Sequence, residues 1–316
     1  MTTKADISGT VARDALLARF SAWLADPAAC GRDYSPSTVK KYVSAMRVLH
    51  RILTEELGGA PDLEKLVPRD LVLARQHVID SGRAGTVANV IISAGKAWAR
   101  ALGKESEFAP VRMVSLGWKP RRALSKIEYN RLLRALEGGA ISTGRGNLMD
   151  TALRDLALFA LLLGCALRAK EATRVTVTDV TLGPKSGYVR VRAGKGMKER
   201  SVPVAETFRP WLRSRVTELW EGLDEGEVKA ATLLGRGGRG GDAGKPCSLS
   251  NVRRVVLAWG KKAGISDIHP HMLRRTRAQV WREEKGLEAT QLLLGHANVN
   301  TTVRYTAKLE EGEGAS

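Results

Sequence analysis

The longest apolar segment of the chain sets the first limit on its fold. Residues 156–167 form a run of twelve apolar residues, which as a helix would be about 18 Å long. The hydrocarbon core of a bilayer is about 30 Å thick, so this run is too short to span a membrane. Residues 149–167 together are apolar enough to be the buried central helix of a globular domain. We therefore expect no membrane partner.

Apolar residues recur at helical spacing in four segments of the first hundred residues. Ser35 followed by Pro36 is typical of a helix start, and Pro68 opens a further segment that Gly82 closes. Four short helices joined by polar loops predict a small helical bundle, which we place at 1–105.

The periodicity is lost over residues 106–122, where the basic cluster Lys119, Arg121 and Arg122 lies. We interpret this stretch as an interdomain linker. The remaining residues, 123–316, are expected to form a second domain.

The second domain is expected to be mainly helical, with one β-hairpin. Its first helix begins at Ser125, where Ser125 and Glu128 have the spacing of a capping box. Residues 188–192 and 199–204 alternate apolar and polar side chains, and Gly194-Lys195-Gly196 supplies a turn between them. The expected fold is therefore a helical bundle followed by a mixed α+β domain.

The charge of the chain concerns its partners. Lys and Arg number 51 against 33 Asp and Glu, a formal net charge of +18, of which +13 lies in residues 121–316. An excess of this size favours a polyanionic partner, nucleic acid before an anionic membrane surface.

Several cofactor and compartment classes can be set aside. The cysteines, Cys30, Cys165 and Cys247, show no paired spacing, which argues against a disulfide scaffold or a zinc site and fits a reducing cytoplasm. The N-terminal residues show no apolar core of a secretion signal. The acidic residues form no paired cluster, which argues against a two-metal nuclease. We expect neither a metal nor another cofactor.

One pair of residues suggests phosphate chemistry. His271 and Arg274 lie three residues apart, so on a helix they share a face where both can reach one phosphate. Taken alone, the pair fits better a surface histidine beside a solvated arginine. The alternative weakens because further candidate residues occur at Arg168, Lys195 and Tyr305.

Four blocks of the second domain resemble the tyrosine recombinase (phage integrase) family. They are Cys165-Ala-Leu-Arg-Ala-Lys-Glu-Ala-Thr-Arg-Val-Thr-Val-Thr-Asp179, Gly194-Lys-Gly-Met-Lys-Glu-Arg-Ser-Val-Pro203, His271-Met-Leu-Arg-Arg-Thr276 and Leu294-Gly-His-Ala-Asn-Val-Asn-Thr-Thr-Val-Arg-Tyr305. The blocks occur in the family's order and near its spacings. The N-terminal half is similar to the family's helical core-binding (SAM-like) domain by layout only.

The resemblance implies a set of residues that attacks a DNA phosphodiester with a tyrosine. Two arginines can hold the nonbridging oxygens bidentately, and proton transfers accompany attack and departure. Matched residue by residue, the set comprises the clamp Arg168 and Arg274, the general acid Lys195, the general base or proton relay His271, the phosphate hydrogen-bond donor His296, the nucleophile Tyr305 and the supporting acid Glu171. Lys198 is a rival to Lys195.

Further basic residues are candidates for contacts with DNA phosphates, which give affinity rather than sequence choice. They are Lys40, Lys41, Arg47, Lys119, Arg121, Arg122, Arg253, Arg254 and Arg275. The sequence also departs from the family's pattern: Ala166 stands where glycine is usual, and Arg275 and Arg277 stand where a histidine and an aromatic residue are common.

The expected activity is site-specific DNA recombination through a 3′-phosphotyrosyl intermediate, without metal or ATP. The resemblance implies a double-stranded recombination site, a monomer in solution that forms a dimer on each site, and a homotetramer on two duplexes. It fits a simple Xer, transposon or plasmid type of recombinase in a bacterial cytoplasm, at the nucleoid. Two alternatives stay open: a non-catalytic DNA-binding protein on the same scaffold, and an enzyme that relaxes DNA like a type IB topoisomerase.

Overall fold

The computed structural model describes residues 4–117, 121–141, 147–192, 199–235, 246–296 and 298–307. These residues are mainly helical and contain one small antiparallel sheet, as the sequence predicts. The chain divides into two compact units, Met1–Trp118 and Lys119–Ser316. Among the described residues, no helix combines the length and the apolar character that crossing a membrane requires.

The first unit is a helical bundle. Its helices are α1 (Lys4–Ala25), α2 (Pro27–Cys30), α3 (Pro36–Leu57), α4 (Pro68–Asp80), α5 (Gly85–Ala101) and α6 (Glu105–Phe108), with a 3₁₀ turn at Leu63–Lys65. The predicted start of α3 is confirmed, because the Ser35 hydroxyl accepts a hydrogen bond from the Thr38 amide at 3.2 Å. The helix ends at Gly58, whose φ of 70° is the left-handed conformation that glycine adopts readily.

The core of the first unit lies where α1, α3 and α5 meet. Met46, Leu49 and Leu53 are fully buried there, and Phe20 packs edge-on against the Trp98 ring at 5.1 Å between centroids. Burial of apolar side chains such as these is the main driving force for folding of the bundle.

Part of the segment predicted to be a linker packs on this core. Phe108 and Val111 are 1% and 5% exposed, and the Asn89 side chain exchanges two hydrogen bonds with the Val114 backbone, at 2.7 and 3.0 Å. The side chains that hold this segment are irregularly spaced along the chain, so its sequence shows no helical periodicity. For that reason the sequence looks like a linker. The predicted domain bounds 1–105 and 123–316 stay a prediction.

The second unit combines helices with the sheet. Its helices are α7 (Lys126–Ile141), α8 (Asn147–Phe159), α9 (Ala169–Ala172), α10 (Arg209–Gly222), α11 (Glu225–Ala230), α12 (Leu249–Lys262), α13 (Pro270–Leu294) and α14 (Val299–Thr306), with 3₁₀ turns at Val177–Asp179 and Glu206–Phe208. The capping box is present, since Ser125 and Glu128 bond each other's backbone amides. Helix α13 is interrupted at Gly286, which has a φ of 84°.

The sheet has three antiparallel strands in the order β1 (Val180–Leu182), β2 (Gly187–Val191) and β3 (Arg200–Pro203). The predicted hairpin is confirmed as β2 and β3, with Val189 opposite Val202 and both fully buried. Strand β1 was not predicted, because three residues are too few to show an alternating pattern.

The apolar segment 149–167 is buried as predicted, but its last part is not an ordinary helix. After α8 the chain widens into a π-helical turn at Ala160–Gly164, and the Leu167 amide bonds the Leu161 carbonyl at 3.0 Å. The widened turn ends the helix and leads the chain directly to Arg168. The prediction of one continuous helix to residue 167 was therefore wrong at its end.

Candidate active site

The site begins at the end of the buried apolar segment. Ala166 has a φ of 51°, which is uncommon for a residue with a side chain, and the turn delivers Arg168 to the start of α9. Glu171 closes this turn: its carboxylate accepts the Arg168 amide at 2.8 Å and the Arg168 guanidinium at 2.9 Å. Arg168 and Glu171 are therefore held as one local unit.

Glu171 also receives two arginines from distant segments. Arg200 in β3 donates to both carboxylate oxygens, at 3.3 and 3.0 Å, and Arg274 in α13 lies 3.5 Å away. Burial alone would raise the pKa of Glu171, but the hydrogen bond from Arg200 and the charges of Arg274 and Arg200 outweigh it and lower the pKa. The carboxylate is thus ionised and links three guanidinium groups.

Arg274 is almost completely buried, with 1% of its surface exposed. Its guanidinium donates to the carbonyls of Ala166 and Leu294, the latter at 2.7 Å. Burial lowers its pKa to about 10, so the group keeps its charge at neutral pH. A buried guanidinium fixed by backbone carbonyls is a preorganised binding group for an anion.

His296 lies in the turn between α13 and α14. Gly295 ends α13 with a φ of 61°, and His296 Nδ1 lies 3.0 Å from the Thr302 hydroxyl. Burial, with the charges of Arg274 and Arg168 second, lowers the His296 pKa to about 4. The ring is therefore neutral at physiological pH, and when Thr302 donates to Nδ1 the ring proton is carried by Nε2.

Tyr305 lies on α14 beside these groups. Its ring packs edge-on against His296 at 5.5 Å between centroids, and the guanidinium carbons of Arg274 and Arg275 lie 5.9 and 5.0 Å from its centre. The phenol donates a hydrogen bond to the His271 carbonyl at 3.3 Å. Burial raises the Tyr305 pKa even though the charges of Arg274 and Arg275 lower it. The phenol is therefore protonated at neutral pH.

His271 lies at the start of α13, one turn before Arg274. Desolvation of its ring lowers the His271 pKa, and the charges of Arg274 and His269 act in the same direction. His269 has a structural role instead, since its Nδ1 accepts the Met272 amide at 3.2 Å and caps the helix. The His269 ring is thus used to cap the helix, whereas the His271 ring lies beside Arg274 at the site.

The hairpin is attached to the first of the four sequence blocks through Asp179. This carboxylate is 2% exposed and accepts hydrogen bonds from Thr176, from Arg190 at 3.1 Å and from Arg192 at 2.9 Å. The base of the hairpin is thereby fixed beside the site. Lys195 lies outside the described residues.

The structure brings together five of the predicted residues, Arg168, Glu171, Arg274, His296 and Tyr305, with His271 adjoining them. Sequence reasoning missed Arg200, although it lies in the second block. A signal was present in the alternating pattern of the strand. Arg200 lies on the same face as Val202 and Val204, whose side chains enter the core. In the described part of the chain, no group of three or more His, Cys, Asp or Glu side chains is arranged to hold a metal.

The predicted DNA-contact residues divide into exposed and inward-turned groups. The exposed ones are Lys40, Lys41, Arg47, Arg121, Arg253 and Arg254, whereas Lys119 lies outside the described residues. Arg122 pairs with Glu128.

Arg275 is 4% exposed and donates to the Arg122 carbonyl at 2.8 Å. Arg275 therefore differs from the expected surface contact, because its guanidinium is held between that carbonyl and the Tyr305 ring.

Comparison with known proteins gives this geometry a family. A sequence model of the phage integrase family matches residues 122–311. The chain belongs to the phage integrase family. Among its relatives in the family, the tyrosine recombinase XerC of Yersinia pestis is 32% identical over 285 residues, which cover 87% of this chain and 85% of that protein. XerC of Escherichia coli (strain K12 / DH10B) is 29% identical over 284 residues, 87% of each chain.

Solved structures of the family share the fold. A lambda integrase (75-356) dimer bound to a COC' core site has a TM-score of 0.66 at 19% identity, covering 96% of this chain and 98% of that one. The XerH recombinase in its pre-cleavage complex with difH has a TM-score of 0.65 at 18% identity, covering 94% and 92%. Membership in the family makes the chain a tyrosine recombinase, an enzyme that breaks and rejoins DNA strands.

Proposed function

We propose that this family member performs site-specific recombination with Tyr305 as its nucleophile. The observation that carries the proposal is the position of the phenol, which lies beside the His296 ring and near the guanidinium groups of Arg274 and Arg275 in a single chain. Attack on a DNA phosphodiester forms a 3′-phosphotyrosyl bond and releases a 5′-hydroxyl. The phosphotyrosyl bond keeps the energy of the broken bond, so rejoining requires no ATP.

The charge balance of the site suits a phosphodiester. Glu171 supplies one negative charge among Arg168, Arg200 and Arg274, which leaves an excess of positive charge for an anion. Arg168 and Arg274 act as the clamp on the nonbridging oxygens, whose charge grows as the phenol attacks. His296 adds a hydrogen bond from its neutral ring.

Two proton transfers complete the reaction. The phenol donates a hydrogen bond to the His271 carbonyl in the free protein. Its proton must leave Tyr305 during attack, and the imidazole of His271 is the proposed acceptor or relay. Its lowered pKa leaves the ring neutral and able to accept. The proposed donor to the departing 5′ oxygen is Lys195.

The assembly is proposed by comparison with structural relatives. Lambda integrase has been seen as a dimer bound to a COC' core site and as a tetramer bound to a Holliday junction. For this chain we propose a dimer on each recombination site and a homotetramer on two duplexes, acting in the cytoplasm at the nucleoid. The exposed basic residues Lys40, Lys41, Arg47, Arg121, Arg253 and Arg254 are proposed to contact DNA phosphates, with Lys119.

Recombination of a plasmid with two binding sites tests the proposal. The site is first selected from a random-sequence duplex library by binding to the full chain, and two copies are placed in direct repeat. Wild-type protein is expected to excise the intervening DNA, Tyr305→Phe to bind the site without excision, and Tyr188→Phe, which alters an exposed tyrosine of β2, to excise normally.

Other outcomes would overturn it. Relaxation of plasmids that lack the site, without excision, would assign the chain to topoisomerase-like enzymes. Binding with neither reaction would make it a non-catalytic DNA-binding protein. No structural observation favours either alternative.

A further inference from the structure

Arg200 adds to the positive charge of the site, but the proposed mechanism gives it no part in clamping the phosphate or transferring a proton. Its side chain is 11% exposed, and its two terminal nitrogens form a fork onto the Glu171 carboxylate at 3.3 and 3.0 Å. Its Nε donates to the Leu293 carbonyl at 3.2 Å. One side chain thus joins three segments: strand β3, helix α9 and the end of α13.

The fork fixes the orientation of the Glu171 carboxylate. A planar guanidinium bonded to both oxygens sets the plane of the carboxylate, which a single bond from an ammonium group does not do. Of the same two oxygens, Oε1 accepts the Arg168 guanidinium at 2.9 Å and Oε2 lies 3.5 Å from Arg274. The angle between the two clamp arginines therefore depends on how Arg200 holds Glu171.

The bond to Leu293 acts on the other side of the site. The last carbonyls of a helix lack partners within the helix, and here Arg200 takes that of Leu293 while Arg274 takes that of Leu294 at 2.7 Å. A methyl group added at Gly295 would lie 3.2 Å from the Arg200 guanidinium. The turn into His296 is thus packed directly against Arg200.

We propose that Arg200 is a positioning residue that sets the geometry of Arg168 and Arg274 through Glu171 and holds the turn that carries His296. The proposal rests on the proposed function, because it assumes that these groups bind the scissile phosphate. In this role Arg200 acts through Glu171 and the turn rather than through the DNA. Its loss therefore slows formation of the phosphotyrosyl bond while leaving binding of the duplex largely intact.

The rate of covalent adduct formation on a saturating nicked duplex is the first measurement. Arg200→Ala is expected to slow it by about 100-fold, since displacement of reacting groups by about 1 Å has effects of that order. Arg200→Lys, which keeps the charge but not the fork, is expected to slow it less. Arg213→Ala is the matched control: it removes another arginine of the second unit that donates to a backbone carbonyl, that of Gly183.

A substrate with a methylphosphonate at the cleaved linkage separates positioning from a general structural role. It lacks the negative charge that the clamp neutralises, so a misplaced clamp costs less on it. The Arg200→Ala defect is expected to shrink on this substrate by about tenfold or more, with thermal denaturation showing a folded variant. If Arg200→Ala does not fold, Arg200→Lys is measured on the same two substrates and decides the question.

Three results would overturn the proposal: an unchanged adduct rate in the folded variant, an equal defect on both substrates, or a loss confined to DNA binding. These outcomes are distinct from failure of the proposed function. In that case wild-type protein itself would form no adduct at Tyr305, whatever residue occupied position 200.

Discussion

Tyr305 and Arg274 face each other within one chain, with the guanidinium carbon 5.9 Å from the centre of the phenol ring. They lie on α14 and α13, which are joined by the turn that carries His296. Each protomer therefore holds its proposed nucleophile beside an arginine of its own proposed clamp, an arrangement in which a tyrosine from a neighbouring subunit is not needed.

This arrangement predicts that cleavage occurs in cis. A mixture of Tyr305→Phe and Arg274→Ala proteins is expected to form no covalent adduct on a nicked duplex, since every subunit that keeps the tyrosine lacks the buried arginine. Each variant alone serves as the baseline. Recovery of adduct in the mixture would show that the tyrosine acts in a partner's site.

A second prediction concerns the leaving oxygen and Lys195. Lys195→Ala is expected to slow cleavage by about 100-fold or more on ordinary DNA, the usual range for a lost general acid. On a duplex with sulfur in place of the departing 5′ oxygen the defect should largely vanish, because a thiol, with a pKa of about 8.5, leaves without a proton. Single-turnover cleavage of the two duplexes gives both rates.

The neighbouring lysine provides the comparison for this experiment. Lys198→Ala is expected to cleave both duplexes at the wild-type rate. The assignment is wrong if Lys198→Ala, rather than Lys195→Ala, shows the defect that sulfur rescues.

A third prediction follows from the backbone at Ala166. Its φ of 51° costs a residue with a side chain about 1–2 kcal/mol, while glycine avoids this strain but loses about 0.5–1 kcal/mol through greater freedom of the unfolded chain. The free energy of unfolding of Ala166→Gly is therefore expected to lie within about 1 kcal/mol of the wild-type value. Ala166→Val, a β-branched residue at a site that is fully buried, should lose about 2 kcal/mol or more.

Urea denaturation of the three proteins checks this order. A valine variant as stable as wild type would mean that the backbone at this position is not left-handed.

The pH dependence of stability supplies a fourth prediction. The pKa of His296 falls from its ordinary 6.5 to about 4 in the folded site. Between pH 6.5 and pH 4, therefore, this histidine is protonated in the unfolded chain and neutral in the folded one. Stability is then lost as the pH drops through this window. Lowering the pH from 7 to 5 is expected to reduce the free energy of unfolding by about 2 kcal/mol through this histidine.

Urea denaturation at these two pH values measures the effect. His296→Asn cannot titrate, so its loss on acidification should be smaller than that of wild type by about the same 2 kcal/mol. Equal losses in the two proteins would contradict a buried, neutral His296.

Local features of the fold and of the site could be predicted from the sequence because they depend on residues close together along the chain. The capping residues Ser35 and Ser125 mark helix starts through their own hydrogen bonds. Arg168 and Glu171, one turn apart along the chain, bond each other directly. The remaining site residues were identified through the four blocks that resemble the family, because their spacing alone does not show that they lie together.

Contacts between distant segments could not be predicted in the same way. Arg200 bonds Glu171 and Leu293, 29 and 93 residues away, and nothing in the local pattern names these partners. Arg275 was a candidate for a contact with DNA phosphates, yet its guanidinium is held by the Arg122 carbonyl 153 residues away. Tertiary packing, rather than propensity, decided both positions.

The central claim is that Tyr305 is the residue that becomes joined to DNA. Its most direct test is a duplex nicked beside the cleavage position, which loses a short fragment and traps the intermediate, followed by proteolysis and mass spectrometry of the nucleotide-bearing peptide. We predict a nucleotide attached through its 3′ phosphate to Tyr305. Attachment to another residue, or an adduct undiminished in Tyr305→Phe, would contradict the account.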